Sequence, residues 1–142
     1  MLFKGSAYGD EKAFMSINNV SASSITTGYP AVLAQASASF NGTNAIVYSG
    51  SGATGFIGVA YKDIPPNSYG LIQNLGPIAS VLLSNVGTSL TINLGDPLVP
   101  GPAGFFSGSP TYANGGLKYV LATNVPVAIS ASAYASGYIR AI

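Results

Sequence analysis

Side chains able to do chemistry are scarce in this chain. It has no His and no Cys, and carries only five Lys or Arg and four Asp or Glu. General acid–base catalysis most often uses His, and a nucleophilic Ser needs a base beside it. What remains is a pair of carboxylates flanking a scissile bond, as in glycoside hydrolysis. Asp63 and Asp96 are the separated pair, yet nothing in their local sequence suggests that they meet, and Asp96 has a simpler role in the turn Gly95-Asp96-Pro97. Transition-metal sites want His or Cys, and no Asp-rich loop of calcium-binding spacing is present. Asp10 and Glu11 are adjacent, so on a strand they point to opposite faces and read as a solvated pair. The chain therefore reads as a non-enzyme, with no catalytic residue, metal site or cofactor expected.

Three further features invite a binding role, and each has a plainer account. Gly50-Ser51-Gly52-Ala53-Thr54-Gly55 looks like a phosphate loop, but lacks the Lys of that motif and no helical pattern follows it. It reads as a flexible turn. The nine tyrosines suit a sugar-binding face, but Trp is absent, and Tyr is common on half-buried strands and at interfaces. Asn19-Val20-Ser21 and Asn41-Gly42-Thr43 match glycosylation sequons, which arise by chance in a chain this rich in Asn, Ser and Thr.

Composition narrows the class. Charged residues make up 6% of the chain, against about 25% in ordinary soluble domains. Residues 13–61, 64–95 and 97–117 carry no charge at all. Disorder is excluded by a hydrophobic content of 48%. No apolar run reaches the roughly 18 residues of a membrane-spanning helix, and no clear aromatic girdle marks a transmembrane barrel. A net charge of +1 argues against nucleic acid, where a basic stripe supplies most of the affinity. Met1-Leu2-Phe3-Lys4 leads into a polar stretch rather than a signal peptide, so synthesis in a cytosol is expected. The surface left is neutral Ser, Thr, Asn and Gly. It repels neighbours weakly and suits a protein packed against others.

The elements follow from periodicity. Gly and Pro recur too often for long helices, whereas period-two patterns are frequent. Strands are predicted at Phe14–Val20, Tyr29–Ala36, Ala45–Tyr48, Gly55–Tyr61, Tyr69–Leu75, Ile78–Leu83, Ser89–Leu94 and Leu117–Ala122. A long stretch from Val125 to near Tyr134 and a short last strand from Tyr138 to Ile142 complete the set. Leu98–Pro110, with three prolines, reads as an ordered surface loop. The prediction is a single all-β domain over residues 13–142, a β-sandwich or distorted β-barrel of about 8–10 short strands. Residues 1–12 hold four of the nine charges together with Leu2, Phe3 and Tyr8, and read as an extended N-terminal arm or as a frayed terminus with an edge strand.

Residues 55–106 carry a resemblance. Phe56-Ile57-Gly58-Val59-Ala60, then Ile64-Pro65-Pro66-Asn67-Ser68-Tyr69-Gly70-Leu71-Ile72-Gln73-Asn74-Leu75-Gly76, then Gly95-Asp96-Pro97-Leu98 and Gly104-Phe105-Phe106 follow one another along the chain. In that order they resemble the small capsid decoration (cement) proteins of tailed bacteriophages. The resemblance implies a β-rich virion protein on the capsid exterior that binds major capsid protein subunits, as a trimer or by bridging several of them, with no catalysis and no cofactor. Leu2, Phe3, Lys4 and Tyr8 are then candidates for a capsid-contacting arm. The competing readings are a receptor- or glycan-binding head of a fibre or adhesin, and another virion subunit of coat or tail.

Overall fold

The computed structural model describes residues 11–34, 43–47, 55–83, 90–101, 104–107, 119–122, 127–129 and 133–141. Among these residues there are eleven strands and no helix. The strands are β1 (Ala13–Asn19), β2 (Pro30–Leu33), β3 (Thr43–Val47), β4 (Phe56–Ala60) and β5 (Ser68–Leu83). They continue with β6 (Leu90–Ile92), β7 (Pro97–Gly101), β8 (Gly104–Ser107), β9 (Tyr119–Ala122), β10 (Val127–Ile129) and β11 (Ala133–Arg140). The protein is all-β, as its periodicity predicts.

Nine strands form one sheet in the order β1-β3-β2-β4-β5-β11-β9-β7-β8, and two further pairings, β1–β5 and β5–β8, close it twice. The first closure makes a barrel of β1, β3, β2, β4 and β5. The second makes a ring of β5, β11, β9, β7 and β8. Both share β5, whose Ser68–Leu75 half pairs with β1 and whose Leu75–Leu83 half pairs with β11. Closure removes the free edges at which sheets aggregate. β6 and β10 pair with each other as a separate two-stranded ribbon.

Each ring has its own core. Ile17, Ile25, Ala31, Ala45, Ile57, Ala60, Ile64 and Ile72 fill the first. The second gathers Ile78, Val81, Leu83, Leu98, Phe105, Ala135 and Ile139, and packs onto Val32, Phe56 and Val59 of β2 and β4. β4 is thus buried along its whole length, between two cores. A register shift opposite Ala31 and Val32 lets Ile57 face one core and Val59 the other, which strict alternation forbids. Phe56 and Phe105 meet edge to face at 5.8 Å and join the first barrel to the second ring.

Three predicted boundaries need correction. Tyr69–Leu75 and Ile78–Leu83 are halves of one 16-residue strand, because Gly76-Pro77 bends β5 without ending it. Leu98–Pro110 is no surface loop over its described part. Pro97–Gly101 and Gly104–Ser107 form an antiparallel pair, with Leu98 and Phe105 buried. Pro97 opens its strand and Pro100 lies beyond the two residues that β9 reaches, positions where a strand tolerates proline. The Val125–Tyr134 stretch and the short last strand are also redrawn. β10 leaves to pair with β6, while β11 runs through both Tyr134 and Tyr138.

The shared strand passes between rings at a bend held by a side chain. Gln73 is buried, and its Nε2 donates to the carbonyls of Leu75 at 3.0 Å and Pro77 at 2.9 Å. Gly76 has a φ of +97°, and a Cβ there would lie 2.1 Å from the Glu11 carbonyl oxygen. Only glycine fits.

Candidate interaction surface

Asp63 and Asp96 lie in separate connections, each engaged by its own loop. Asp63 lies on the connection between β4 and β5, where its Oδ1 accepts the Thr27 N–H and the Thr27 hydroxyl, both at 2.7 Å. Those two donors hold the carboxyl below the ordinary Asp range. The clamp secures a loop that links the rings, since the Gly28 N–H donates to Ala60 O and the Leu82 N–H donates to Gly28 O. Asp96 sits in the turn before β7 and accepts the Asn93 N–H at 2.8 Å, the turn role its sequence suggests. Glu11 is exposed, and no cluster of three or more His, Cys, Asp or Glu occurs among the described residues. Asp10, Asn41, Gly50 to Thr54 and the arm candidates Leu2, Phe3, Lys4 and Tyr8 lie outside those residues.

Asn19 has a structural role. It is fully buried, and its Nδ2 donates to the carbonyls of Ser23 at 2.9 Å and Ile64 at 2.8 Å, with a longer contact to Pro65. Its Oδ1 accepts the backbone N–H and the hydroxyl of Ser21. This amide ties the end of β1 to two loops, so the first sequon is a hydrogen-bonded hub rather than a glycan acceptor.

What the fold does present is an aromatic face on the outside of the first barrel. Phe14 on β1 and Tyr61 just after β4 meet edge to face at 5.1 Å, and both are exposed. Tyr69 and Leu71 project from the same face of β5 and are 61% and 48% exposed, which is high for residues of their size. Register sets Leu71 opposite Ser16 and Tyr69 opposite Asn18, so the four apolar groups form one band along β1 and β5. Asn18 and Asn44 share a side-chain hydrogen bond beside it. A shallow cleft of about 230 Å³ lies between Tyr61 and Leu71, floored by Ile64 and Gly70 and rimmed by Lys62 and Asp63. An aromatic centre with a polar rim is the anatomy of a protein–protein interface.

No protein-family model matches the chain, and no curated protein matches it. Among solved structures, the N base of the head fibre gp8.5 of bacteriophage phi29 matches at a TM-score of 0.55 with 14% identity. The match covers 91% of this chain and 94% of that one. The chain is similar in fold to a phage head-fibre base. At that identity the likeness to gp8.5 is one of fold, and at 91% coverage it extends over both rings.

Against that shared fold, the short motifs of residues 55–106 are largely architectural. Gly58 lets β4 approach the Gln73 carbonyl, where a Cβ would lie at 2.7 Å. Asn67 adopts a positive φ in the turn opened by Pro65-Pro66, and its N–H donates to Asn19 O at 2.8 Å. Gln73 and Gly76 make the bend in β5. The aromatic face is the feature that periodicity alone does not single out. Its signal is nonetheless present: Phe14 and the pair Tyr69 and Leu71 are large and apolar at positions that alternate with the buried ones.

Proposed function

We propose that this chain is a structural protein of a tailed-phage virion that binds the outer surface of the head and stabilises contacts between major capsid protein subunits. The observation that carries the reading is the near full-length likeness of fold to a domain solved as the base of a phage head fibre. The capsid-decoration motifs of residues 55–106 point the same way. A base attaches, and attachment to a shell is also what a cement protein does. The surface suits attachment, being neutral and charge-poor, with an exposed aromatic face and with Asp63 and Asp96 committed to loop contacts. Catalysis is no part of the proposal. Many copies on a shell share the load, so each contact can be modest. In this reading the copies also associate with one another, as trimers or as bridges between neighbouring capsid subunits.

The test is to mix the purified chain with expanded capsids and sediment them. Saturable co-sedimentation, at a fixed number of copies per capsid, is the expected result. A chain that stays in the supernatant at every salt concentration and pH tried overturns the proposal.

A further inference from the structure

A cavity of about 150 Å³ lies at the waist between the rings, lined by Lys12, Thr27, Tyr61, Gln73 and Ser80 together with apolar atoms of β4 and β5. It adjoins the part of β5 that pairs with β11 alone. The register shifts there. Val81 pairs with Ala135 and Ile78 with Gly137, so Ala79 and Ser80 share one opposing position. In a regular strand, residues three apart face opposite sides, yet Ile78 and Val81 both enter the second core. The bulge makes this possible, and it leaves Ala79 exposed and Ser80 in the cavity wall.

Some of the polar groups in the wall are committed and some are not. The Gln73 amide nitrogen donates to two carbonyls of β5, which is its full capacity, and the Thr27 hydroxyl goes to Asp63. The Lys12 ammonium and the Ser80 hydroxyl have no hydrogen-bond or ionic partner among the described residues. Lys12 alone is charged among the described residues of the lining, and neither Glu11 nor Asp63 belongs to it. Lys62 and Asp63 rim the neighbouring cleft, which shares Tyr61 with the cavity. This side of the first barrel thus sets two lysines against one acid that Thr27 already engages. One ammonium and one hydroxyl suit a singly charged carboxylate, whereas a phosphate dianion draws on several donors at once. A cavity of about 150 Å³ holds a group of roughly the size of benzene, so it takes the end of a side chain and not a stretch of backbone. Tyr61 belongs to the cavity wall and to the aromatic face alike, so a partner seated on the face has the cavity at its edge.

We infer that the cavity receives an acidic side chain, Asp or Glu, of the shell protein, with its carboxylate on Lys12 and Ser80. This inference deepens the capsid-binding reading and rests on it. The aromatic face supplies apolar contact, and the Lys12 contact fixes the register of the partner on that face. A charge pair at such a site gives specificity and a salt-dependent association.

Co-sedimentation of variants with expanded capsids tests it. Lys12 is exposed, so its replacement leaves the cores intact. Lys12→Gln should weaken capsid binding by about tenfold, the scale of a hydrogen bond to a charged group, and should flatten its dependence on salt. Lys12→Glu should weaken it further. Lys62→Gln, which removes a cation from the same side but outside the cavity, should cost clearly less. Amidating the surface carboxylates of the capsid with a carbodiimide should cost the parent chain more than it costs Lys12→Gln. A Lys12→Gln variant that binds like the parent, or no better or worse than Lys62→Gln, overturns the inference and leaves capsid binding standing. Equal costs of amidation overturn the carboxylate as the ligand. A parent chain that never sediments with capsids overturns the functional reading and this inference together.

Discussion

The side-chain amide of Gln73 donates to the carbonyl of Pro77 across the bend where β5 leaves one ring for the other. Leu75 pairs with both β1 and β11, and Leu83 with both β8 and β11, so the Gly76–Leu82 stretch pairs with β11 alone. That stretch is a break in the closed outline of the described sheet. It is protected without another strand. Gln73 also occupies the Leu75 carbonyl, Pro77 brings no N–H, and the Leu82 N–H is taken by Gly28. Proline and side-chain capping are recognised ways of blunting an exposed edge.

Gln73→Ala should therefore destabilise the fold well beyond its loss of buried area. Two carbonyls lose their donor in a partly buried setting, at up to about 1–3 kcal/mol for each group left unsatisfied. Urea denaturation should show a lower midpoint at unchanged slope. A midpoint equal to that of the parent would mean that water replaces the amide at no cost.

Gly76→Ala and Gly95→Ala form a matched comparison. Both glycines have a positive φ, which costs an L-residue about 1–2 kcal/mol. A Cβ at Gly76 meets the Glu11 carbonyl at 2.1 Å, whereas Gly95 has nothing within 4 Å. Gly95→Ala should lose only the conformational amount, and Gly76→Ala clearly more. Equal losses in thermal denaturation would show that Glu11 moves aside freely.

Asp63 should titrate below the ordinary Asp range. Its folded value is depressed by the Thr27 N–H and hydroxyl, so the clamp's stabilising effect is complete above the unfolded pKa and fades as pH falls through the folded one. Thr27→Val, which removes the hydroxyl but keeps the N–H, should bring the carboxyl part of the way back, as read by NMR titration. No upward movement would mean that the backbone N–H alone sets the value.

Phe105→Ala should cost about 3–5 kcal/mol, as expected for a large, fully buried aromatic. A double-mutant cycle with Phe56→Ala should reveal a coupling of about 0.5–1.5 kcal/mol from their edge-to-face contact. Strict additivity would show that the rings meet by shape alone.

The sequence made the all-β class and most strand positions plain, because β1, β4 and both halves of β5 are rich in apolar residues at strand spacing, and β1 and β5 largely alternate in burial. The errors have physical causes. Gly76-Pro77 signals a chain break locally, and only a long-range view shows Gln73 and Glu11 supporting a continuous strand there. The prolines of β7 suggest a loop, yet Phe105 needs that strand to close the second core. The candidate site was less legible. Phe14, Tyr61 and Tyr69 come from three separate segments, and a band built by strand register is invisible until the strands are paired.

The shared strand has a consequence for how the protein is made. The first barrel is built wholly from residues 13–83, in one uninterrupted run of sequence, and the second ring from the residues that follow together with the same β5. On a ribosome, everything the first barrel needs emerges before β7 exists. The later strands then assemble against an edge already in place, with β11 arriving last to line the far half of β5. The early ring is thus complete in sequence before the late one begins, although β11, made last, takes the place beside β5.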